Sequence, residues 1–446
     1  MALSGIQIYK MLPQTNCKDC GFPTCLAFAM KLAAKQVELA DCPHVSDEAK
    51  AELAESAAPP IRLVTLKANG HEVKAGNEVV LFRHEKTFYH KPGLFIRVRD
   101  DESADDIKAK VGAADAYSVN YVGIDLTIDG FAVESVSGDP AAFKAAVEAV
   151  RAASDRPLVL IGSDPSALEA GLGALDGEAP LIHGATADNW EAMADLAKAS
   201  GAALTVVGNT LDELADLTGQ VQGKGVEDMV LAPSALEMST SLMLSTQSRR
   251  LALKKNFRPL GYPSIAFPGD AGDPARESML AAQAIAKYVG FIVLDTFAPE
   301  QIYPLLVLRE NVYTDPQKPI QVQPGLYEIN GPSADDPLLV TTNFSITYFS
   351  VANEVENTGL PAWLLVSDAE GMSVLTAWAA GKFDAERIAK DVKNFSVADK
   401  VSQHRIVLPG HVAVLSGELE EELPGWQVLV GPREAVDIPQ YMKEAL

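Results

Sequence analysis

Short apolar runs alternate with helical stretches through the middle of the chain, and each run ends in a small or polar residue. Near-continuous apolar strands that alternate with helices are typical of a parallel sheet buried on both faces, and eight such units at this length predict a (β/α)8 barrel of the TIM type. The eight runs are VVLFRH (79–84), YVGIDL (121–126), LVLIGS (158–163), LIHGAT (181–186), LTVVGN (204–209), MVLAPS (229–234), SIAFPG (264–269) and FIVLDT (291–296). A ninth run, LLVLRE at 305–310, leaves one of these assignments open.

The segments on either side of the barrel pattern differ from it. Between about 61 and 100, apolar and polar residues alternate around Asn69–Gly70 and Gly76–Asn77, which predicts hairpin strands. After a proline-rich linker at 313–325, shorter strands predict an open α/β domain of the Rossmann type. These strands are LLVTTNF (338–344), WLLVSD (363–368), RIVLPG (405–410) and QVLVGP (427–432).

The N-terminal segment forms a third region. SDEAKAELAESAA (46–58) has the composition of a short acidic helix and ends at Pro59–Pro60, which indicates a linker. We therefore predict three domains, at 1–58, 59–318 and 326–446.

Charge limits the classes of partner. Asp and Glu number 60 against 37 Lys and Arg, a formal charge of −23, and such a surface repels nucleic acid and anionic membranes. The N-terminus has no basic and apolar leader, and no run approaches 18 apolar residues. We expect a cytoplasmic protein with neither nucleic acid nor a membrane as a partner.

All four cysteines lie within the first 42 residues, in the spacing Cys17-x2-Cys20-x4-Cys25-x16-Cys42. Three thiolates within nine residues, followed by a distant fourth, suit a 4Fe–4S cluster. Gly21 allows a tight loop between them because glycine adopts positive φ readily. The sequence therefore predicts a metal centre in an electron-handling protein of an anoxic cytoplasm.

The segment LAFAMKLAAKQVELAD (26–41) has helical spacing and would carry the chain from Cys25 back to Cys42. Structural zinc is the main alternative, although zinc sites usually use two Cys-x-x-Cys pairs and the second pair is absent here. Buried thiols without a metal are the remaining alternative.

Polar and glycine-rich loops follow the strands of the C-terminal domain, where open α/β sheets bind ligands. The segment 367–373 is the most suggestive, because Gly371 and Ser373 precede a helix whose free N–H groups would face a ligand. Ordinary loop and cap residues would give the same pattern. His411 lies in the same layer, whereas His71, His84, His90, His183 and His404 are scattered.

The barrel has polar residues at strand ends on the face where barrel enzymes place their chemistry. These residues are Asp125, His183, Asp188, Asn209 and Asp295. They form neither a metal triad nor a nucleophile and base pair, so a binding role is expected rather than catalysis. Glycine motifs for dinucleotides and a Walker A sequence are absent.

The motif CKDCGFPTC with its later DCP, the barrel pattern, and the segments TTNFSITYFSVANEVE and VSDAEGMSVLTAWAAGKF together resemble one family. The chain is similar to the large (gamma) subunit of the corrinoid iron–sulfur protein of the reductive acetyl-CoA (Wood–Ljungdahl) pathway. The resemblance covers essentially the whole chain.

This resemblance implies a corrinoid methyl carrier for carbon fixation in an anaerobe. Such a protein accepts a methyl group from methyltetrahydrofolate on Co(I), through a separate methyltransferase, and delivers it to acetyl-CoA synthase/CO dehydrogenase. It acts as a methyl-transferring component rather than as a stand-alone enzyme, in a heterodimer with a small corrinoid protein subunit. The 4Fe–4S cluster would reactivate Co(II) by reduction.

The resemblance also implies a cobamide in the C-terminal domain. No Asp-x-His-x-x-Gly motif occurs, so the cobamide would be base-off without a histidine ligand, which eases reduction of the cobalt. The implied cobamide-binding residues are Thr341, Thr347, Gly371, Met372, Ser373, Val374, Thr376, Gly431 and Arg433, with Thr376 beneath the cobalt. Two alternatives stay open: a plain iron–sulfur electron-transfer protein, and a barrel methyltransferase that holds a pterin with Asp125, Asp188 or Asn209.

Overall fold

The computed structural model describes residues 5–33, 37, 39–46, 49–50, 59–88, 90–314 and 320–445. The chain divides into two compact units. One contains the chain up to Ala116 together with Ile128–Leu305, and the other contains Tyr117–Thr127 and Leu306–Leu446. Most of the helix predicted at 46–58 lies outside the described residues.

The secondary structure alternates between strands and helices for most of the chain. The strands are β1 (Val64–Ala68), β2 (His71–Ala75), β3 (Gly93–Arg99), β4 (Val119–Tyr121), β5 (Ile124–Leu126), β6 (Gly130–Glu134), β7 (Leu158–Ile161), β8 (Leu181–Ala185), β9 (Ala203–Gly208), β10 (Met229–Pro233), β11 (Ile265–Ala266), β12 (Phe291–Leu294), β13 (Gly325–Ile329), β14 (Leu338–Thr342), β15 (Ala362–Ser367), β16 (Arg405–Leu408) and β17 (Gln427–Val430). The helices are α1 (Gly5–Met11), α2 (Cys25–Ala33), α3 (Ala104–Asp115), α4 (Pro140–Arg151), α5 (Pro165–Leu172), α6 (Trp190–Ser200), α7 (Leu211–Gly223), α8 (Met238–Lys255), α9 (Pro274–Ala286), α10 (Pro299–Tyr313), α11 (Ser345–Thr358), α12 (Val374–Ala379), α13 (Ala385–Asn394), α14 (Val397–Lys400), α15 (Ser416–Glu422) and α16 (Ile438–Ala445).

The first unit contains an eight-stranded parallel sheet in the order β10-β9-β8-β7-β6-β3-β12-β11. Leu231 of β10 forms a parallel bridge with Ser264, next to β11, and its N–H donates to the carbonyl oxygen of Pro263 at 2.8 Å. This bridge joins the two edges, so the sheet is nearly closed and the predicted barrel is confirmed. Its interior is an apolar cluster that includes Phe95, Val159 and Phe291.

Two of the eight predicted barrel strands are wrong. The run at 79–84 is irregular chain in which Val79 and Phe82 remain exposed, and the barrel strand is β3, which the alternation pattern had placed in a hairpin. The run at 121–126 turns back on itself at Val122 and Gly123, both with positive φ, and forms the β4–β5 hairpin of the second unit. Strand β6 takes its place in the barrel.

The remaining predictions around the barrel have mixed outcomes. The ninth run, at 305–310, lies within helix α10. The hairpin around Asn69–Gly70 is confirmed as β1–β2, because both turn residues have positive φ. Gly76–Asn77 does not turn a second hairpin, since irregular chain follows it. The predicted helix at 26–41 begins at Cys25 and is described as far as Ala33, and part of the remainder lies outside the described residues.

The second unit contains a five-stranded sheet in the order β13-β15-β14-β16-β17. Strand β13 is antiparallel to β15 and the other four strands are parallel, so the sheet is mixed rather than purely parallel. In chain order the four parallel strands are arranged 2-1-3-4, the arrangement of flavodoxin-like sheets, and the strand order reverses between β14 and β16. Among the described residues, no helix is both long and apolar enough to cross a membrane.

Candidate cluster and ligand sites

The four cysteines lie on a loop and two short helical segments at the N-terminus. Cys25 begins α2, and Cys42 follows a 3-10 turn at Leu39–Asp41. Cys25 and Cys42 are buried in one apolar cluster with Phe28, and the half-buried Cys20 packs against that cluster. Cys17 is exposed, and none of the four forms a disulfide bond.

The backbone between Leu12 and Cys25 is tightly coiled and contacts Cys25. Asn16, Lys18 and Gly21 all have positive φ, which coils the loop tightly. The Asn16 side chain accepts a hydrogen bond from the Cys25 N–H at 2.8 Å, and the Asn16 N–H donates to Cys25 Sγ at 3.4 Å. A thiolate ligand that receives an N–H hydrogen bond in an apolar setting fits an iron–sulfur cluster, whose potential depends on such bonds.

A hydrogen bond links the loop to the segment that follows Cys42. His44 Nε2 lies 2.5 Å from a carboxylate oxygen of Asp19, and this hydrogen bond is the main reason that the pKa of Asp19 lies below its usual value. The pair joins the two parts of the chain that carry the cysteines. Sequence reasoning missed it because the two residues are 25 positions apart.

A cavity of about 350 Å³ opens at the carboxyl ends of β14, β16 and β17 in the second unit. Its position next to the β14–β16 reversal is where doubly wound sheets bind ligands. Six of the nine predicted cobamide-binding residues line it: Thr341, Thr347, Ser373, Val374, Gly431 and Arg433.

Two buried hydroxyls at the end of β14 have no hydrogen-bond partner. Thr341 and Thr342 are at most 1% exposed, and both Oγ1 atoms are unpaired. Unpaired buried hydroxyls cost stability unless a bound group satisfies them, and Thr341 is in the cavity wall. The wall, together with the first turn of α11, therefore fits a ligand that has a large apolar body and polar groups at its edge. A corrin with its amide side chains is such a ligand.

Asn343 holds the loop that forms one side of this cavity. Its Oδ1 accepts hydrogen bonds from the N–H groups of Ala369 (2.9 Å) and Gly371 (3.0 Å). Its Nδ2 donates to Gln321 and Asp368. Asn343 is 1% exposed, so one buried amide fixes the loop 368–373. The sequence showed only a polar residue after a strand, because its partners lie more than twenty positions away.

The other predicted residues of this site lie at its margins. Gly371 is buried with a φ of +73°, and a Cβ there would meet the Gln321 side chain at 2.7 Å. Met372 packs against the apolar core below the loop. Thr376 is exposed on α12, outside the cavity wall, and its hydroxyl accepts a hydrogen bond from Ser373 at 3.0 Å.

His411 also lines the cavity, and its Nε2 lies 3.5 Å from a carboxylate oxygen of Glu434.

The polar strand ends predicted for the barrel are only partly brought together. His183 and Asp295 lie at the carboxyl ends of β8 and β12, whereas Asp188 and Asn209 are exposed loop residues. Asp125 is not in the barrel at all, because it lies in β5 of the second unit. The sequence missed Arg97, whose buried guanidinium pairs with Asp295 and Asp270 at 2.5 and 2.7 Å.

Comparison with known proteins places the chain among iron–sulfur and acetyl-CoA synthase families. A family model described as CO dehydrogenase/acetyl-CoA synthase delta subunit matches residues 63–442, and an Fe-S cluster family model matches residues 12–44. The large subunit of the corrinoid/iron-sulfur protein from Moorella thermoacetica is 47% identical over the full length of both chains. The gamma subunits of the acetyl-CoA decarbonylase/synthase complex from Methanopyrus kandleri and Archaeoglobus fulgidus are 35% and 34% identical, over 99% of this chain and 98% of theirs.

The barrel, the mixed α/β sheet and the cysteine loop define a modular iron–sulfur protein. Within that class, the chain belongs to the family of corrinoid/iron–sulfur protein large subunits and acetyl-CoA decarbonylase/synthase gamma subunits. The resemblance drawn from the cysteine motif and the terminal segments is thereby confirmed.

Proposed function

We propose that this chain is the cobamide-carrying, methyl-transferring component of an acetyl-CoA pathway in the cytoplasm of an anaerobe. The observation that carries the proposal is the cavity at the β14–β16 reversal, with its unpaired Thr341 hydroxyl, in a chain whose other end holds four cysteines. When bound, a cobamide supplies a Co(I) nucleophile that takes a methyl group from methyltetrahydrofolate and passes it to an acceptor. The chain needs no general acid or base for this reaction.

The residues of the second unit hold and orient the cofactor. Thr341 and Thr347 offer hydroxyls, and the Asn343-anchored loop presents Ser373 and Val374. Gly371, Met372 and Thr376 shape the loop and its margin, while Gly431 and Arg433 form the opposite wall. Positioning and exclusion of water account for the catalytic contribution of such a site.

We further propose that no histidine of this chain binds the cobalt. His411 is the only histidine among the described residues of the cavity wall, and its Nε2 lies 3.5 Å from a carboxylate oxygen of Glu434. A cobamide bound here without a strong axial ligand would be easier to reduce.

Three partners follow from this role. A small corrinoid subunit in a heterodimer would cover the open side of the cavity, whose rim exposes Ile346 and Leu375. A methyltetrahydrofolate methyltransferase would donate the methyl group and acetyl-CoA synthase/CO dehydrogenase would accept it.

A cavity-filling substitution tests the cobamide site. Ser350→Trp, on the α11 wall, should abolish cobalt retention and methyl uptake in the heterodimer while iron content stays unchanged, because the indole occupies the corrin's space. Asn353→Trp, exposed on the same helix and outside the wall, is the matched control and should keep both metals. Cobalt and methyl uptake retained by Ser350→Trp would contradict the proposed site.

The role proposed for the cluster is repair of oxidised cobalt rather than participation in every turnover, and 4Fe–4S is the cluster type that we propose. Cys20→Ala should leave the first methyl transfer from pre-reduced protein intact, because the electron is already on cobalt. After the cobalt has been oxidised to Co(II), a low-potential electron donor should fail to restore methyl transfer in this variant. Lys18→Ala, exposed in the same loop, is the control. Loss of the first transfer in Cys20→Ala would contradict the repair role.

A further inference from the structure

The barrel interior changes character at the carboxyl ends of its strands. Deeper positions are apolar and include Phe95, Ala132 and Leu181. Two residues further along the same strands, on the same inward face, stand Arg97, Glu134 and His183. Barrels usually fill their layers with bulky branched residues, so a charged final layer is not needed for folding.

This layer leaves room for a ligand. A cavity of about 410 Å³ lies over it. One part of its wall is apolar, with Val207, Phe267 and Leu280, and another part carries the hydroxyls of Ser241 and Ser245 from α8. The cavity is at the end of the barrel where barrel proteins bind their ligands, and all of its lining residues belong to the first unit.

Ion pairs hold the charged side chains of this layer in position. Arg97, with a side chain 4% exposed, donates to Asp295 at 2.5 Å and to Asp270 at 2.7 Å, and lies 3.5 Å from Glu134. Arg99 donates to the other oxygen of Asp295 at 2.7 Å and, at 3.2 Å, to the same Oε2 of Glu134 that faces Arg97. The charged residues of the cavity wall are one cation, Arg97, and two carboxylates, Glu134 and Asp270. The wall therefore carries a net negative charge.

Two polar atoms in this layer lack partners. Nδ1 of His183 and Oγ1 of Thr205 are buried without a hydrogen bond, and the two residues face each other on the neighbouring strands β8 and β9. Burial and the nearby Arg97 lower the pKa of His183 to about 3, so the ring is neutral near pH 7. The cavity wall therefore combines a neutral imidazole with two carboxylates, and such groups accept hydrogen bonds from N–H donors.

We propose that the barrel binds a small, flat organic ligand of the amide or amidine class, neutral or singly cationic, whose N–H groups donate to Glu134, Asp270 and His183. Its apolar body lies against Phe267 and Leu280. Anions are excluded because the wall is already negative and His183 does not protonate to offset them. This site is independent of the cobamide cavity in the second unit.

Three probes of nearly equal shape test the proposal on the full chain in its heterodimer. Benzamidine is a cation with N–H donors, benzamide is neutral with N–H donors, and benzoate is an anion without them. Calorimetry or ligand-observed NMR should detect binding of the first two and none of the third. Equal binding of benzoate, or no binding of any probe, would overturn the proposal.

Variants locate the binding in the barrel. Ser245→Leu narrows the cavity and should weaken both amide-type probes by about tenfold or more, whereas Gln247→Leu, exposed on the same helix and outside the wall, should not. Glu134→Gln should weaken benzamidine more than benzamide, because it removes charge and keeps shape. Thermal unfolding confirms that each variant folds. Unchanged affinities in Ser245→Leu would place the binding elsewhere and overturn the proposal.

Discussion

Individual residues at both candidate sites act through partners that are distant in the sequence. Asn343 reaches Ala369 and Gly371, and Arg97 reaches Asp270 and Asp295. Each is a polar group whose burial is tolerable only because these partners surround it. The chemistry of each site therefore depends on how the fold places side chains, and less on local motifs.

His183 gives the final layer of the barrel a pH dependence. Its pKa is lowered to about 3 from 6.5 by burial and by the charge of Arg97. As the pH falls below 6.5 the unfolded chain takes up a proton and the folded chain does not, so folding stability falls by up to ~1.4 kcal/mol per pH unit.

Urea unfolding at pH 7, 6 and 5 measures this effect. The free energy of unfolding of wild type, relative to His183→Gln, should decrease through this range, because glutamine has no proton to gain. Parallel pH dependences for the two proteins would contradict a neutral buried His183.

The four cysteines were predictable from the sequence because cluster ligands occur at a recognisable spacing. The corrinoid-family segments were predictable because each is a continuous stretch of sequence. Asn343, Arg97 and the Asp19–His44 pair were not, because each depends on a tertiary contact. Arg97 was also difficult to predict because polar and apolar residues alternate in β3. The charged residues that face the barrel interior were therefore taken for the exposed face of a hairpin.

The number of barrel strands was predicted correctly, but two of the segments that form them were not. Eight barrel strands were expected and eight form, yet the runs at 79–84 and 121–126 were mistaken for β3 and β6. Apolar content alone does not distinguish a buried strand from irregular chain, and the turn at Val122–Gly123 depends on positive φ that the run's composition concealed. The four parallel strands of the second unit were each located, but the antiparallel edge strand β13 was not.

Strand β8 contains an irregularity that orients His183. The register with β9 shifts between His183 and Ala185, and Gly184 between them has a φ of +131°. A Cβ on Gly184 would lie 2.1 Å from the carbonyl oxygen of Gly162 in the backbone of the neighbouring segment. Glycine is therefore required at this bulge for both conformation and space.

Alanine at this position should disrupt the barrel. Gly184→Ala should lower the free energy of unfolding by about 3 kcal/mol or more, because the backbone must move. Gly177→Ala, with positive φ but open space, should cost only about 1 kcal/mol and is the control. Chemical denaturation compares the two, and similar losses would mean that the close approach at Gly184 is not rigid.

At the scale of the whole molecule, the chain separates two kinds of chemistry. Its N-terminal loop offers sulfur ligands in an apolar cluster, and its second unit offers a cavity at the end of a sheet, with the unpaired Thr341 hydroxyl in its wall. The barrel contributes a second, chemically different cavity. The match to the Moorella thermoacetica protein extends over the full chain, so it includes all three regions.

One chain is proposed to carry both an iron–sulfur cluster and a cobamide. Metal analysis of the anaerobically purified heterodimer, with visible absorption spectra, tests it most directly. The proposed function predicts one cobalt in this chain's cavity, lost in Ser350→Trp, and about four irons, lost in Cys20→Ala. A heterodimer that contains iron, but whose cobalt content is zero or is unchanged by Ser350→Trp, would contradict the proposed function.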